Sequence, residues 1–130
     1  MIVDSSAIVA ILRSEPEAEQ FVAAIVGAGD AAISAGNFLE TSIVIEKDRN
    51  PALGARLDPL LMQLNVCIEP VTEAQVRIAR QAYRDFGKGS GHPAQLNFGD
   101  CFAYALAMER GDKLLFKGDD FVQAGLARVV

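Results

Sequence analysis

The chain has 130 residues and a mass of 13.9 kDa, which fits one domain, since single cores hold about 100–200 residues. Its composition, 51% hydrophobic and 22% charged, is that of a folded globular protein and excludes a disordered chain. The net charge is −5, from 12 basic and 17 acidic residues. This excludes a broad basic surface for nucleic acid, so a phosphate-bearing ligand would need metal ions or a local group of cations.

No apolar run approaches the roughly 20 residues that span a bilayer, and no basic segment precedes the apolar N-terminus as in a signal peptide. Cys67 and Cys101 both lie in apolar segments, which predicts buried thiols and no disulfide framework. We therefore expect a cytoplasmic protein with reduced cysteines and no membrane association.

The first predicted strand covers residues 2–3 and ends at Asp4, where an apolar helix begins at once. A carboxylate is thus placed at the carboxyl end of a strand, where open α/β sheets bind ligands. Residues 14–17, Ser-Glu-Pro-Glu, have the form of a capping box and predict the start of a second helix. That helix is expected to end at Gly27 or Gly29.

Residues 31–34 predict the second strand, and Asn37 is expected to cap a third helix. Asn50 and Pro51 open a fourth helix, which Pro59 should kink or restart, because proline removes a backbone hydrogen bond.

The C-terminal half continues the alternation of strands and helices. Its predicted elements are a strand at 66–68, a helix capped by Thr72 and ending at Gly87, a loop at 87–93, a helix capped by Asn97 and ending at Gly111, a strand at 113–116, a short helical turn at 118–121 and an edge strand at 127–130. Short strands alternating with helices predict parallel pairing with right-handed crossovers. The predicted fold is a single three-layer α/β/α domain over residues 1–130, with a short parallel sheet of four to five strands.

Four acidic residues are expected to meet at the carboxyl edge of this sheet. Asp4 ends the first strand, and Glu40 lies in the first turn of the helix that follows the second. Asp100 lies in the first turn of the helix that feeds the fourth strand, and Asp119 follows that strand. Clustered carboxylates repel one another, so the cluster indicates a cation. An all-oxygen ligand set favours Mg²⁺, with Mn²⁺ as the alternative, over zinc.

A simpler interpretation is that each acid caps a helix. Glu40 and Asp100 would each be the acid of an Asn-x-x-acid capping box, which explains acids at helix starts but not why four starts share one edge. Asp120 is an alternative to Asp119, although an inward-packed Phe121 would favour Asp119. Ser6 is expected either to orient Asp4 or to serve only as a hydroxyl at the helix start.

Four motifs carry a resemblance to a known family: Val-Asp-Ser-Ser-Ala at 3–7, Glu40 with apolar neighbours, Asn-Phe-Gly-Asp-Cys at 97–101 with the apolar helix that follows, and Leu-Leu-Phe-Lys-Gly-Asp-Asp-Phe at 114–121. In these motifs the chain resembles the PIN-domain nucleases, and among them the VapC-type toxins of bacterial type II toxin–antitoxin systems. The likeness covers essentially the whole chain.

The resemblance implies a Mg²⁺- or Mn²⁺-dependent endoribonuclease in which Asp4, Glu40, Asp100 and Asp119 are both the catalytic acids and the metal ligands. Such an enzyme hydrolyses RNA phosphodiesters by metal-activated water and leaves 5′-phosphate and 3′-hydroxyl ends. The resemblance also implies a VapB-like antitoxin that blocks the cleft, and a homodimer.

Two other functions remain open from the residues. A phosphatase of the haloacid dehalogenase kind also has an Asp at the end of its first strand, but it needs a second Asp where Ser6 stands. A non-enzymatic module could use the acids to receive a basic peptide, and it would need no divalent metal.

Two surfaces are predicted as well. Arg13, Lys47 and Arg49 are candidates for a rim that steers phosphate. The apolar side chains of the third and fourth helices are expected to form a surface for an amphipathic antitoxin helix; they are Phe38, Ile43, Leu57, Leu61 and Leu64.

Overall fold

A computed structural model describes all 130 residues and is built on a four-stranded parallel sheet of order β3-β2-β1-β4. In chain order the elements are β1 (Ile2–Val3), α1 (Ser5–Leu12), α2 (Ala18–Ala28), β2 (Ala32–Ser34), α3 (Ala35–Glu46), α4 (Pro51–Gly54), α5 (Leu57–Gln63), β3 (Cys67–Glu69), α6 (Glu73–Phe86), α7 (Phe98–Arg110), β4 (Leu114–Leu115) and α8 (Asp120–Gln123). No helix is long and apolar enough to cross a membrane.

The central strand, β1, pairs in parallel with β2 on one side and β4 on the other, so that Ile2 is opposite both Ala32 and Leu114. The backbone N–H of Asp4 extends this ladder by donating to the carbonyl of Leu115 at 2.9 Å. The carboxyl ends of these strands therefore lie at one edge, which is the edge where Asp4 stands.

The two faces of the sheet bury two separate hydrophobic cores. In β1, Val3 packs into the core formed with α1, α2, α3 and α5, whereas Ile2 packs into the core formed with α7 and α8. In β4, Leu115 and Leu114 divide in the same way, because successive side chains of a strand point to opposite faces. The predicted three-layer α/β/α architecture with a parallel sheet is confirmed, with four strands.

Residues 127–130 form no strand, so the predicted edge strand is wrong. After α8 the chain turns back through a bond from the N–H of Leu126 to the carbonyl of Phe121, at 2.9 Å. The Arg128 side chain then pairs with Asp119 and lies 5.8 Å above the ring of Phe116. Side-chain contacts, and no backbone ladder, hold this tail.

Two helix starts differ from the prediction. Ser14 does not cap α2, because its φ of 52° lies in the left-handed region, whereas an N-cap residue is extended; it lies in the turn that ends α1. In α3 the cap is Ser34, whose hydroxyl accepts from the N–H of Gly36 at 3.2 Å. The helix thus begins one turn earlier than predicted, and Asn37 lies inside it.

The other predicted caps are confirmed. Asn50, Thr72 and Asn97 each accept a bond from the N–H three residues later, at the starts of α4, α6 and α7. The helix that contains Pro59 restarts at α5, as predicted.

The prediction of two buried thiols is half right. Cys101 is buried in α7, but Cys67 is exposed. Cys67 lies on β3, one of the two edge strands of the sheet, and its neighbour Ile68 is also 44% exposed.

The expected antitoxin surface on the third and fourth helices is wrong, because those side chains mostly belong to the core. Leu57 and Leu61 are 4% and 3% exposed, and Phe38 and Leu64 pack partly buried against the same core. Only Ile43 is half exposed.

Candidate active site

Asp4 lies at the carboxyl end of β1 and is almost fully buried. Its Oδ2 accepts bonds from the backbone N–H of Ser6 at 2.9 Å and from the Ser6 hydroxyl at 2.6 Å. The Ser6 hydroxyl oxygen in turn accepts from the backbone N–H of Lys117 at 2.9 Å. The other oxygen, Oδ1, is buried without a protein partner. Asp4 therefore caps α1 with one oxygen and presents the second one free, and Ser6 orients it.

Glu40 is held in the second turn of α3 against the start of α7. Its Oε1 accepts bonds from the Ser5 hydroxyl and from the Asn37 amide, the latter at 3.2 Å. Its Oε2 faces Gly99, where a Cβ atom would lie only 1.6 Å from that oxygen. Three elements therefore fix this carboxylate, and the glycine before Asp100 gives it space.

Asn37 is a residue of the site whose role the sequence did not reveal. It is fully buried, and its amide also donates to the carbonyl of Gly99 at 2.9 Å. It thereby ties α3, which carries Glu40, to the N-terminus of α7, which carries Asp100. The signal in the sequence was Ser34, a second candidate cap one turn earlier, which would have placed Asn37 inside the helix.

Asp100 is the acid of a complete capping box with Asn97, as predicted. Its Oδ2 accepts from the N–H of Asn97 at 2.9 Å. The pKa of Asp100 is raised to about 6, mainly by burial and in smaller part by the charges of Asp120 and Glu40, against the lowering effect of the Asn97 bond and the charge of Lys88.

The pKa of Asp4 is raised to about 7, mainly by burial and in smaller part by the charges of Asp100 and Glu40, against the lowering effect of the bonds from Ser6. Three of the predicted acids therefore act on one another at the carboxyl edge of the sheet. Mutual repulsion at such an edge is what a bound cation would relieve.

The fourth acid is less well placed in the site. The Asp119 side chain is 79% exposed and pairs with Arg128, whereas it is the charge of Asp120 that raises the pKa of Asp100. Phe121 is buried, as expected. The effect of the Asp120 charge on Asp100 nevertheless favours Asp120 over Asp119 as the fourth acid.

The donors fit a hard divalent cation that keeps part of its water. No three Asp, Glu, His or Cys side chains converge closely enough to form a closed ligand set. Asp4 Oδ1 is buried without a hydrogen-bond partner, and the charges of Asp100 and Glu40 act on the same carboxylate. Mg²⁺ binds through one or two carboxylates and retains waters, so this open arrangement is compatible with it.

One of the three cations predicted to form a phosphate-steering rim is paired with an acid instead. Arg13 makes two bonds to Asp48, at 2.9 and 2.7 Å, and this pair closes α1 against the end of α3. Lys47 and Arg49 are exposed and form no ion pair, so only these two remain candidates for contacting phosphate.

Metal-free protein should lose thermal stability as pH rises from 5 to 7. The folded-state pKa values of Asp4 and Asp100 lie above the ordinary value of 3.8, so the folded form binds protons more tightly than the unfolded form in this window. We expect a Tm about 5–10 °C lower at pH 7 than at pH 5 in chelator, measured by circular dichroism.

Asp4→Asn should flatten this pH dependence and raise the Tm at pH 7, because the uncharged amide is not penalised by burial as the carboxylate is. Asp58→Asn, which changes an exposed side chain on α5, is the matched control and should keep the wild-type dependence of Tm on pH. An unchanged slope in Asp4→Asn would show that burial of Asp4 does not cause the effect.

A parallel sheet between two layers of helices, with interacting carboxylates at its carboxyl edge, is typical of a class of small nucleases whose active sites are built from acidic residues. The model of one such family, the PIN domain, matches residues 1–126, so the chain belongs to the PIN-domain family. Its relatives place the chain among the VapC ribonucleases, which are toxins. It is 50% identical to Ribonuclease VapC28 of Mycobacterium tuberculosis over 100% of this chain and 98% of that one. Ribonuclease VapC30 of the same species is 44% identical over 99% and 98%.

A solved structure is similar in fold. The crystal structure of Mycobacterium tuberculosis VapC20, a sarcin–ricin-loop-cleaving toxin, superposes with a TM-score of 0.72 over 98% of this chain and 97% of that chain, at 18% identity. The predicted family, its nuclease class and its fold are thus confirmed. This family assignment decides against the two alternative functions, a phosphatase of the haloacid dehalogenase kind and a non-enzymatic binding module.

Proposed function

We propose that the chain is a Mg²⁺- or Mn²⁺-dependent endoribonuclease whose metal ligands and catalytic acids are Asp4, Glu40 and Asp100, completed by Asp120 or Asp119. Divalent-metal dependence is general among ribonucleases of this family. The observation that carries the proposal is the buried, partner-free oxygen of Asp4, a carboxylate on which the charges of Asp100 and Glu40 act at one edge of the sheet.

The residues of the site would have two kinds of role, holding the ion and orienting other groups. Asp4 and Asp100 would hold the ion, and Glu40 with the fourth acid would complete the ligand set and orient the attacking water. A divalent ion bound there supplies charge stabilisation at phosphorus and makes a bound water more acidic. Ser6 holds Asp4, and Asn37 holds Glu40, so that both carboxylates are oriented before substrate arrives.

Hydrolysis of the RNA phosphodiester by water would leave 5′-phosphate and 3′-hydroxyl ends, as membership of this nuclease family implies. The partner we propose is a VapB-type antitoxin that covers the acids, and the active form is a cytoplasmic homodimer. The sarcin–ricin loop is the target of VapC20, whose likeness to this chain, at 18% identity, supports the fold.

Cleavage of purified total RNA tests the proposal. With Mg²⁺ or Mn²⁺ the wild-type protein should cut RNA at discrete positions, and chelator should abolish cutting. Ligation-based mapping should find 5′-phosphate ends. Cutting in chelator, or 2′,3′-cyclic phosphate ends, would contradict the mechanism.

A further inference from the structure

The Lys117 side chain, in the turn between β4 and α8, is held by two acids of another turn. Its Nζ pairs with Glu15 Oε1 at 2.7 Å and with Glu17 Oε2 at 3.1 Å. No other Lys or Arg side chain pairs with two acids. Both acids lie between α1 and α2, and the N–H of Glu15 donates to the carbonyl of the buried Ala10 at 2.9 Å. The ammonium thus ties the turn after β4 to a fixed point just beyond the end of α1.

The backbone of the same residue reaches the candidate active site. In the parallel pairing of β1 with β4, the N–H of Asp4 donates to the carbonyl of Leu115, so the next bond would run from the N–H of Lys117 to the carbonyl of Asp4. That carbonyl instead accepts from the N–H of Ala7 at 3.1 Å, where α1 begins. The N–H of Lys117 donates to the Ser6 hydroxyl oxygen at 2.9 Å. A side chain therefore continues the ladder where the strand ends.

This bond determines the direction in which the Ser6 hydroxyl points. Its oxygen accepts from Lys117, and its proton is donated to Asp4 Oδ2, 2.6 Å away. Because Oδ2 is held, the partner-free oxygen of Asp4, Oδ1, is kept in one orientation. The contacts form a continuous series in which two glutamates hold Lys117, Lys117 holds Ser6, and Ser6 holds Asp4.

We propose that Lys117 is a positioning residue of the active site: its ammonium, paired with Glu15 and Glu17, fixes its own backbone N–H, which orients Asp4 through Ser6. The inference rests on the proposed function, since the group that Asp4 would hold is the divalent ion. In this role Lys117 acts through Ser6 and needs no contact with the ion or the RNA. Groups that orient a metal ligand raise the affinity for the metal, so the effect should be measurable without substrate.

A simpler interpretation is an ion pair that only joins two turns. The three side chains are between 27% and 38% exposed, and exposed pairs add little to the free energy of unfolding. Loss of such a pair would leave the metal affinity unchanged. A purely electrostatic effect would have the opposite sign to the one we expect, because removing a cation near the acids favours a bound metal ion. Metal affinity therefore distinguishes the three cases.

The test measures binding of Mn²⁺ to the whole protein without RNA, by electron paramagnetic resonance of the free ion. Lys117→Met keeps the aliphatic stem and removes the ammonium. It should raise the Kd for Mn²⁺ about tenfold, the lower end of the range for losing a group that orients a metal ligand. Lys117→Arg should bind Mn²⁺ as wild type does, because a guanidinium can also pair with two carboxylates.

Lys113→Met is the matched control. Lys113 is an exposed lysine directly before β4, at the opposite edge of the sheet, and its side chain forms no ion pair. This variant loses the same positive charge as Lys117→Met and should keep the wild-type Kd for Mn²⁺.

Two further measurements separate orientation of Asp4 from general loosening of the fold. In metal-free protein, amide hydrogen exchange at residue 117 should be faster in Lys117→Met and in Glu15→Ala than in wild type, while exchange at Leu115 stays unchanged. In a Ser6→Ala background, Lys117→Met should cost almost no further Mn²⁺ affinity, because the group through which it acts is already missing.

The outcomes for the two proposals are distinct. If wild type binds Mn²⁺ and Lys117→Met binds it equally well or more tightly, the inference fails and the proposed function stands. The same holds if the losses from Lys117→Met and Ser6→Ala are additive, or if Lys117→Met exchanges faster throughout the sheet. If wild type binds no Mn²⁺, the proposed function fails and the inference fails with it.

Discussion

Asp100→Asn should reduce RNA cleavage by at least about 10²-fold while the protein remains folded. Asparagine can still accept the bond from the N–H of Asn97, so the cap of α7 survives, and only the negative charge is lost from the group of acids. Removing one fixed charge from a preorganised site typically costs this much in rate. The measurement is initial cleavage of a fixed RNA at saturating Mg²⁺, with the Tm recorded in parallel.

The control for this change is Asp58→Asn, another acid in the first turn of a helix, but on α5 away from the site. It should cut as wild type. Wild-type cleavage by Asp100→Asn would remove this residue from the catalytic set.

Substitutions of the neighbouring acids should give unequal results. Asp120→Asn should lower cleavage, because its charge acts on Asp100, whereas Asp119→Asn should mainly release Arg128 and the tail. The reverse order of effects, read in the same cleavage assay, would make Asp119 the fourth acid.

Gly99→Ala should both destabilise the protein, by about 1–3 kcal/mol, and abolish most of its activity. The added Cβ would lie 1.6 Å from Glu40 Oε2 and 2.3 Å from its Cδ, and such overpacking costs about that much. Glu40 cannot move away freely, because Ser5 and Asn37 hold its other oxygen. Urea denaturation measures the free energy of unfolding, and RNA cleavage measures the activity lost when Glu40 is displaced.

Two comparisons make this prediction specific. Gly27→Ala, on α2, adds the same methyl where nothing lies within 4 Å and should stabilise the protein by up to about 1 kcal/mol through helix propensity. Gly99→Ala combined with Glu40→Ala should recover stability but not cleavage. If the double variant stays as unstable as Gly99→Ala alone, the clash with Glu40 is not the cause.

Four strands of the sheet and the edge where the acids lie were predictable, because short apolar runs that alternate with helices leave few topologies. The contacts that orient those acids were not. Asn37 looks like a cap when it is read with its neighbours, and only the packing of α3 on α7 shows that its amide bridges Glu40 and Gly99. Ser34 and Asn37 are both good caps, so local sequence could not choose between them.

Burial in short strands was similarly hard to predict. The apolar neighbours of Cys67 resemble those of a central strand, but the strand order places it at an edge. The choice between Asp119 and Asp120 depended on Arg128, a residue of the tail whose position local patterns do not determine.

The pairing of Ile2 with Leu114 also affects when the enzyme can become active during its synthesis. The central strand is made first, yet one of its two neighbours comes near the end of the chain. The ribosome must therefore release almost the whole polypeptide before Asp4 and Asp100 can be brought together. A nascent chain built in this order therefore cannot assemble this group of acids until translation is nearly complete.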